Sequence, residues 1–148
     1  MTITHFRDLD VWQVGMELVR HVYGLTARFP REERYGLAAQ MQRAAVSIPS
    51  NIAEGNARHS RREYARFVSI ASGSIAELQT QLLLARDLNL LKEEAIGPAL
   101  ELAERVSQML YRLQRSLDPD MSGSRVPGPG SRPNGPRSRI SEEPEEYL

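Results

Sequence analysis

Apolar residues recur at alternating steps of three and four along the first 117 positions, which is the spacing of one face of an α-helix. No stretch alternates apolar and polar residues as a half-buried strand would. The pattern predicts four helices joined by short connections, and therefore an all-α, antiparallel, up-down-up-down four-helix bundle. The expected helices run from Asp8 or Asp10 to about Pro30, from about Arg34 to Asn56, from Ser60 to about Asn89, and through the stripe from Ala95 to Leu117.

Local signals sharpen three of these helices. Ser60 and Glu63 fit a capping box that begins the third helix. Pro49 falls inside the second helix, where a missing amide predicts a bend that nearby serine and asparagine side chains can relieve. Pro98 is expected in the first turn of the fourth helix, where a missing amide does least harm.

The first helix carries two apolar stripes. One contains Leu9, Trp12, Met16, Val19, Tyr23 and Thr26, and the other contains Val11, Leu18, Val22, Leu25 and Phe29. Two stripes indicate burial on two sides, so we expect the second stripe to form an interface between copies of the chain. A single broad core face is the alternative.

Residues 118–148 form a second compositional region after the bundle of residues 1–117. The region holds six of the nine prolines and almost no aliphatic periodicity, which predicts a disordered tail. Its charges are ordered as arginines followed by glutamates, a pattern that either contacts a partner or simply solvates the tail. The charged residues are Arg125, Arg132, Arg137 and Arg139, followed by Glu142, Glu143, Glu145 and Glu146.

Composition argues against several classes of function. The chain has no cysteine, its three histidines are scattered, and its paired glutamates look like solvated surface, so we expect no enzyme, no cofactor, no metal and no small-molecule substrate. No apolar run is long enough to span a membrane, and the amino terminus lacks the apolar core of a signal peptide. A cytoplasmic protein without membrane contact is expected.

Basic residues cluster around the turn between the second and third helices. The formal net charge of the chain is zero, so a polyanion would have to use a local patch of this kind. The candidate phosphate contacts are Arg43, Arg58, Arg61, Arg62 and Arg66. A solvated face is the alternative, because Glu54 and Glu63 lie close enough in sequence to pair with these arginines.

Three strings carry a family resemblance: FRDLDVWQVGMELV, YGLAAQMQRAAVSIPSNIAEGNAR and SRREYARFVSIASGSIAELQTQL. They resemble the bacterial 23S rRNA-intervening sequence family over about Phe6 to Leu117. The resemblance implies a four-helix bundle assembled as a homopentamer. It also implies kinship with accessory proteins of diversity-generating retroelements, which bind nucleic acid and a reverse transcriptase.

Two functional hypotheses follow. The first is a non-catalytic oligomeric adaptor whose helix faces contact structured RNA or a nucleoprotein partner through the arginines. The second is a purely protein-binding scaffold that makes no contact with nucleic acid.

Overall fold

The computed structural model describes residues 5–117. Within that range there are four α-helices and two short 3-10 turns but no strand, which confirms the all-α prediction. The predicted tail of residues 118–148 lies outside the described residues. The helices are α1 (Asp10–Thr26), α2 (Leu37–Ala57), α3 (Arg61–Asp87) and α4 (Glu93–Leu117), and the 3-10 turns cover Phe6–Asp8 and Arg31–Glu33.

Consecutive helices run antiparallel, as the short connections predicted. Gln42, early in α2, donates a hydrogen bond of 3.0 Å to the Thr26 hydroxyl at the end of α1. At the other end of the molecule, Arg61 at the start of α3 donates to the backbone carbonyl of Ser116 near the end of α4. Contacts between α1 and α4 close the bundle.

Helix ends follow local chemistry. The Ser60 hydroxyl accepts a hydrogen bond of 3.3 Å from the Glu63 amide, so the predicted cap is present and α3 begins one residue later. Helix α2 begins at Leu37, three residues later than expected, because Arg31–Glu33 forms its own 3-10 turn and Gly36 precedes the first helical residue.

Of the two internal prolines, Pro49 lies inside its helix as predicted, whereas Pro98 does not lie where it was expected. Helix α2 continues through Pro49, and the Asn51 side-chain amide donates to the Ser47 carbonyl oxygen (2.7 Å) and hydroxyl (2.9 Å) in the adjacent turn. Pro98 is the sixth residue of α4, so its expected place in the first turn was wrong. The carbonyl that loses its amide partner belongs to the exposed Glu94, where water can satisfy it.

The predicted interface between copies is instead part of the core of a single chain. Leu18 and Val22 are fully buried, Val11 and Leu25 are 7% exposed, and Phe29 is partly buried against the same core. The four buried side chains are covered by their own chain and are not open to a second molecule, so the assignment was wrong for them. Periodicity defines the stripes of a helix but does not say which stripe meets the neighbouring helices.

Part of the other stripe of α1 reaches the surface, although Thr26 at its end is buried. Trp12, Met16 and Val19 are half-buried beside α2, and Tyr23 is 47% exposed. Together with Val46 and Pro49 of α2 they line an open apolar groove, which we call the α1/α2 groove. Among the described residues, no helix is both long enough and apolar enough to cross a membrane.

Candidate nucleic-acid interface

The predicted arginine cluster lies at the end of the bundle where α2 stops and α3 starts. Only Arg58, His59 and Ser60 separate the two helices. The helices approach closely because Gly55 has no side chain: a Cβ there would lie 2.8 Å from the Phe67 Cβ. The close packing of this corner gives the surrounding arginines a rigid base.

Phe67 organises two of the arginines. Its ring is 94% buried, and the guanidinium carbons of Arg58 and Arg66 lie 5.2 Å and 4.9 Å from its centroid. At these distances a guanidinium is attracted to the face of an aromatic ring. The two charges are therefore held close to one buried aromatic ring.

Arg58 and Arg61 are already engaged within the chain. Arg58 contacts the carboxylates of Glu54 (3.0 Å) and Glu63 (3.9 Å), which offset its charge. Arg61 donates to the Ser116 carbonyl, one of the last carbonyls of α4 without a helical partner. Both arginines help to hold the corner together.

Arg62 and Arg66 remain available. They line a shallow groove of about 700 Å³ with Ile70 of the same helix and Gln114 of α4. Within residues 5–117 neither arginine has a carboxylate within 4 Å, although Glu63 also borders the groove. These two guanidinium groups can therefore meet an anion without first breaking an ion pair.

The folded chain brings further arginines to this end that the sequence analysis missed. Arg112 and Arg115 lie in the last two turns of α4, beside the start of α3, and Arg7 precedes α1. The predicted antiparallel order of the helices could have revealed Arg112 and Arg115, because it puts the end of α4 next to the start of α3. We define the basic end as Arg7, Arg58, Arg61, Arg62, Arg66, Arg112 and Arg115.

Charge is distributed unequally between the two ends of the bundle. Within residues 5–117, the seven arginines of the basic end share it with four carboxylates, those of Asp8, Asp10, Glu54 and Glu63. The opposite end has five cations (Arg28, Arg31, Arg34, Arg86 and Lys92) and five carboxylates (Glu32, Glu33, Asp87, Glu93 and Glu94). Of the two ends, the basic end therefore carries the net positive charge.

Arg43 does not join the basic end. It precedes Arg58 by 15 positions on α2, which corresponds to about 22 Å along the helix axis. Its side chain lines the α1/α2 groove with Tyr23 and Val46. The structure thus separates this residue from the other four predicted phosphate contacts.

A wider groove between α1 and α4 has a lining of mixed charge that does not favour one class of ligand. It has a volume of about 790 Å³, and its lining mixes cations such as Arg20 and Arg28 with the carboxylates of Glu17 and Glu94. No group of three or more histidine, aspartate or glutamate side chains among residues 5–117 is arranged to hold a metal ion.

Known proteins give an independent comparison. The family model described as 23S rRNA-intervening sequence protein matches residues 7–112. A crystal structure from Bacteroides thetaiotaomicron, of a protein with unknown function from the S23 ribosomal protein family, superposes with a TM-score of 0.67. It is 19% identical in sequence, and the match covers 71% of this chain and 98% of that one. No curated protein gives a significant match.

The structural similarity supports the fold, and the family match spans α1 to α3 and most of α4, including Gly55 and Phe67 at the corner of the basic end. The resemblance drawn from the three sequence strings is thereby confirmed. The chain belongs to the 23S rRNA-intervening sequence protein family.

Proposed function

We propose that this protein is a non-catalytic adaptor that self-associates and contacts structured RNA, or a nucleoprotein containing it, through the basic end of each bundle. The observation that supports the proposal is the net positive charge of this end, with Arg62 and Arg66 free of carboxylates within residues 5–117. The name of the family, which refers to an intervening sequence of 23S rRNA, points to the same class of partner.

The geometry suits a phosphate backbone better than a base edge. Arginine presents a planar fork of donors that matches phosphate oxygens, and contacts to phosphates position a protein on RNA without reading its sequence. The first turn of α3 adds the positive end of its helix dipole beside Arg62. Recognition would therefore depend on RNA shape and on the spacing of phosphates.

A single basic end makes a weak site. Each neutralised phosphate contributes modestly, and the contribution falls as salt rises. Several copies held together raise the overall affinity without any new contact, provided that their sites can engage one RNA at the same time. Self-association is therefore part of the proposal, and five copies is the number that the family resemblance implies.

The α1/α2 groove is the surface we propose for self-association. It combines the half-buried Trp12, Met16 and Val19 with Val46, which is 40% exposed. Aromatic residues and methionine are enriched at protein interfaces, and this groove extends along both helices. It takes the place of the Val11–Phe29 stripe, which the core already uses.

The test of RNA contact is a titration of a labelled, structured RNA with full-length protein over a range of salt concentrations. We expect the triple variant Arg62→Ala, Arg66→Ala, Arg115→Ala to bind at least about tenfold more weakly, with a salt slope shallower by about 2 to 3. The reason is that each lost phosphate contact removes one counterion-release contribution.

A matched control carries Arg28→Ala, Arg31→Ala and Arg34→Ala at the opposite end. It removes the same three charges from the chain, so net charge alone would weaken both variants equally. We expect the control to bind like the unaltered protein. Equal losses in the two variants, or no RNA binding by the unaltered protein at low salt, would contradict the proposed interface.

The test of self-association is light scattering coupled to size exclusion. We expect the unaltered chain to elute as a multiple of its monomer mass, and Val46→Glu to shift it to monomer, because a charge in the α1/α2 groove would have to be desolvated. Ile70→Glu is the control, since Ile70 is similarly exposed (42%) but lies on α3. A monomeric unaltered chain would rule out this part of the proposal.

One observation favours the alternative of a purely protein-binding scaffold. Helix α3 exposes Leu83 and Leu84, and Leu88 directly after the helix is exposed as well, at 38%, 43% and 55% of their surfaces. Three exposed leucines at one end of a helix can form a contact surface for another polypeptide. Capture of a partner that survives nuclease treatment, and that Leu84→Glu abolishes, would favour this reading over RNA contact.

A further inference from the structure

The basic end is also the place where the described chain leaves the bundle. Helix α4 ends at Leu117, two residues after Arg115. The 31 residues that follow therefore start beside the groove that Arg62 and Arg66 line. The charged side chains of this segment are therefore tethered next to the proposed RNA site.

The last seven residues of the sequence read EEPEEYL. They hold four glutamates and no basic residue. Counted over the described part of the chain, the basic end has an excess of three positive charges, whereas the opposite end has none. Opposite charges near a protein surface attract more strongly as their number rises, so this segment has one favoured end of the bundle.

We propose that residues 142–148 bind the basic end of their own chain and compete there with RNA. The part of this inference that concerns competition rests on the proposed RNA contact, whereas the binding of the segment to the basic end does not. The segment would act as a built-in polyanion that sets how much of the basic end is open to a partner.

The groove offers complementary contacts for such a segment. Arg62 and Arg66 present guanidinium groups to carboxylates, which arginine can bind through two parallel hydrogen bonds. Ile70 supplies an exposed apolar surface, at 42%, that suits the Tyr147-Leu148 pair. Gln114 of α4 forms part of the opposite wall of the same groove.

Chain length allows the contact. Glu142 follows Leu117 by 25 positions, a separation that a chain can bridge over at most about 90 Å. The longest helix, α3, is only about 40 Å long, so the segment can reach any part of the basic end. A tether of this kind gives the segment a high effective concentration at its target.

The charged residues between Leu117 and Glu142 are mixed. Arg125, Arg132, Arg137 and Arg139 are repelled by the basic end, whereas Asp118 and Asp120 are attracted to it. The final glutamates are the densest group of carboxylates in residues 118–148, with four in five positions and no arginine among them, so they are best suited to the groove. A contact of this kind should weaken as the salt concentration rises.

The direct test places a nitroxide immediately before the segment. The chain has no cysteine, so Ser141→Cys in the full-length protein gives a single labelling site and leaves residues 142–148 unaltered. We expect the label to broaden amide signals of residues 58–66 and 110–116 but not those of 28–34 or 86–93. Broadening that is absent, or equal at both ends, would overturn the proposal.

Two variants show whether charge causes the contact. Replacing Glu142, Glu143, Glu145 and Glu146 by glutamine should abolish the broadening, whereas replacing the four tail arginines by glutamine should leave it or strengthen it. Mixing nitroxide-labelled chains with isotope-labelled chains tests the second possible source of the segment. Broadening that arises only between chains would overturn the intramolecular contact.

The RNA titration then separates this inference from the proposed function. If the segment competes, the glutamine variant of the four glutamates should bind the same RNA about tenfold more tightly, because a larger fraction of basic ends is open. Broadening without any RNA binding would support the segment contact and contradict the RNA role. RNA binding that needs Arg62 and Arg66 but ignores the glutamates would overturn the competition.

Discussion

Both ends of the bundle contain helix termini and several cations, but they differ in how far carboxylates neutralise those cations. Each end brings together helix termini, a short connection and at least five cations. At the opposite end Arg86 contacts Asp87 (3.1 Å) and Glu93 (3.8 Å), and positive and negative groups are equal in number. At the basic end, Arg62 and Arg66 have no carboxylate within 4 Å in residues 5–117. A chain with zero formal net charge can thus have a net positive charge at one end of its folded part.

The ends also differ in the space around a glycine at each end. At the basic end Gly55 lies against Phe67 and Tyr64, so α2 and α3 meet almost backbone to backbone. Near the opposite end Gly24 of α1 has open space where a side chain would be. The arginines of the basic end consequently rest on a tightly packed corner, and this difference can be tested by adding a single methyl group at each end.

The largest expected change in stability comes from Gly55→Ala. The added Cβ would lie 2.8 Å from the Phe67 Cβ and 3.0 Å from the Tyr64 ring, so the two helices must separate. Overpacking of this kind costs about 1–3 kcal/mol, and the better helix propensity of alanine offsets up to about 1 kcal/mol of it. We expect a lower free energy of unfolding in urea together with weaker RNA binding, since Arg58 and Arg66 would lose their common support.

Gly24→Ala is the matched substitution near the opposite end. No heavy atom lies within 4 Å of the added Cβ, so only helix propensity changes. The free energy of unfolding should rise by about 0.5–1 kcal/mol, and RNA binding should stay the same. Equal effects of the two substitutions would show that the packing of the two ends does not differ as described.

A smaller effect is expected from the pH dependence of stability. Burial raises the pKa of the Tyr64 phenol above its usual value near 10, and the nearby Asn56 side chain opposes part of that shift. The phenol ionises more readily in the unfolded chain, so its contribution to stability is fully present below pH 10 and is lost as the pH rises through the higher folded value.

Tyr64→Phe should therefore flatten the loss of stability above about pH 10, as measured by urea unfolding at several alkaline pH values. The variant should fold normally, because the buried Tyr64 hydroxyl makes no hydrogen bond of normal geometry within the described residues. Tyr111→Phe serves as the control, since that ring is 45% exposed. A steeper alkaline loss in Tyr64→Phe would contradict the role assigned to burial.

Local patterns were sufficient for much of the fold. The step of three and four residues identified all four helices, and the Ser60 cap was correctly identified because it depends on residues only three positions apart. The arginines around the α2–α3 turn were found for the same reason, since the turn itself brings them together. The sequence did not reveal how Arg58 and Arg61 hold the corner together, because these roles depend on contacts with Phe67 and Ser116.

Sequence by itself therefore determined the helices, their antiparallel order and the family to which the chain belongs. Tertiary structure alone decided that Val11 and Leu18 face the core while Trp12 stays at the surface, that Arg43 lies away from the basic end, and that Arg112 and Arg115 join it. The physical reason is that periodicity relates residues within one helix. Which faces and ends of different helices meet depends on how all four pack together.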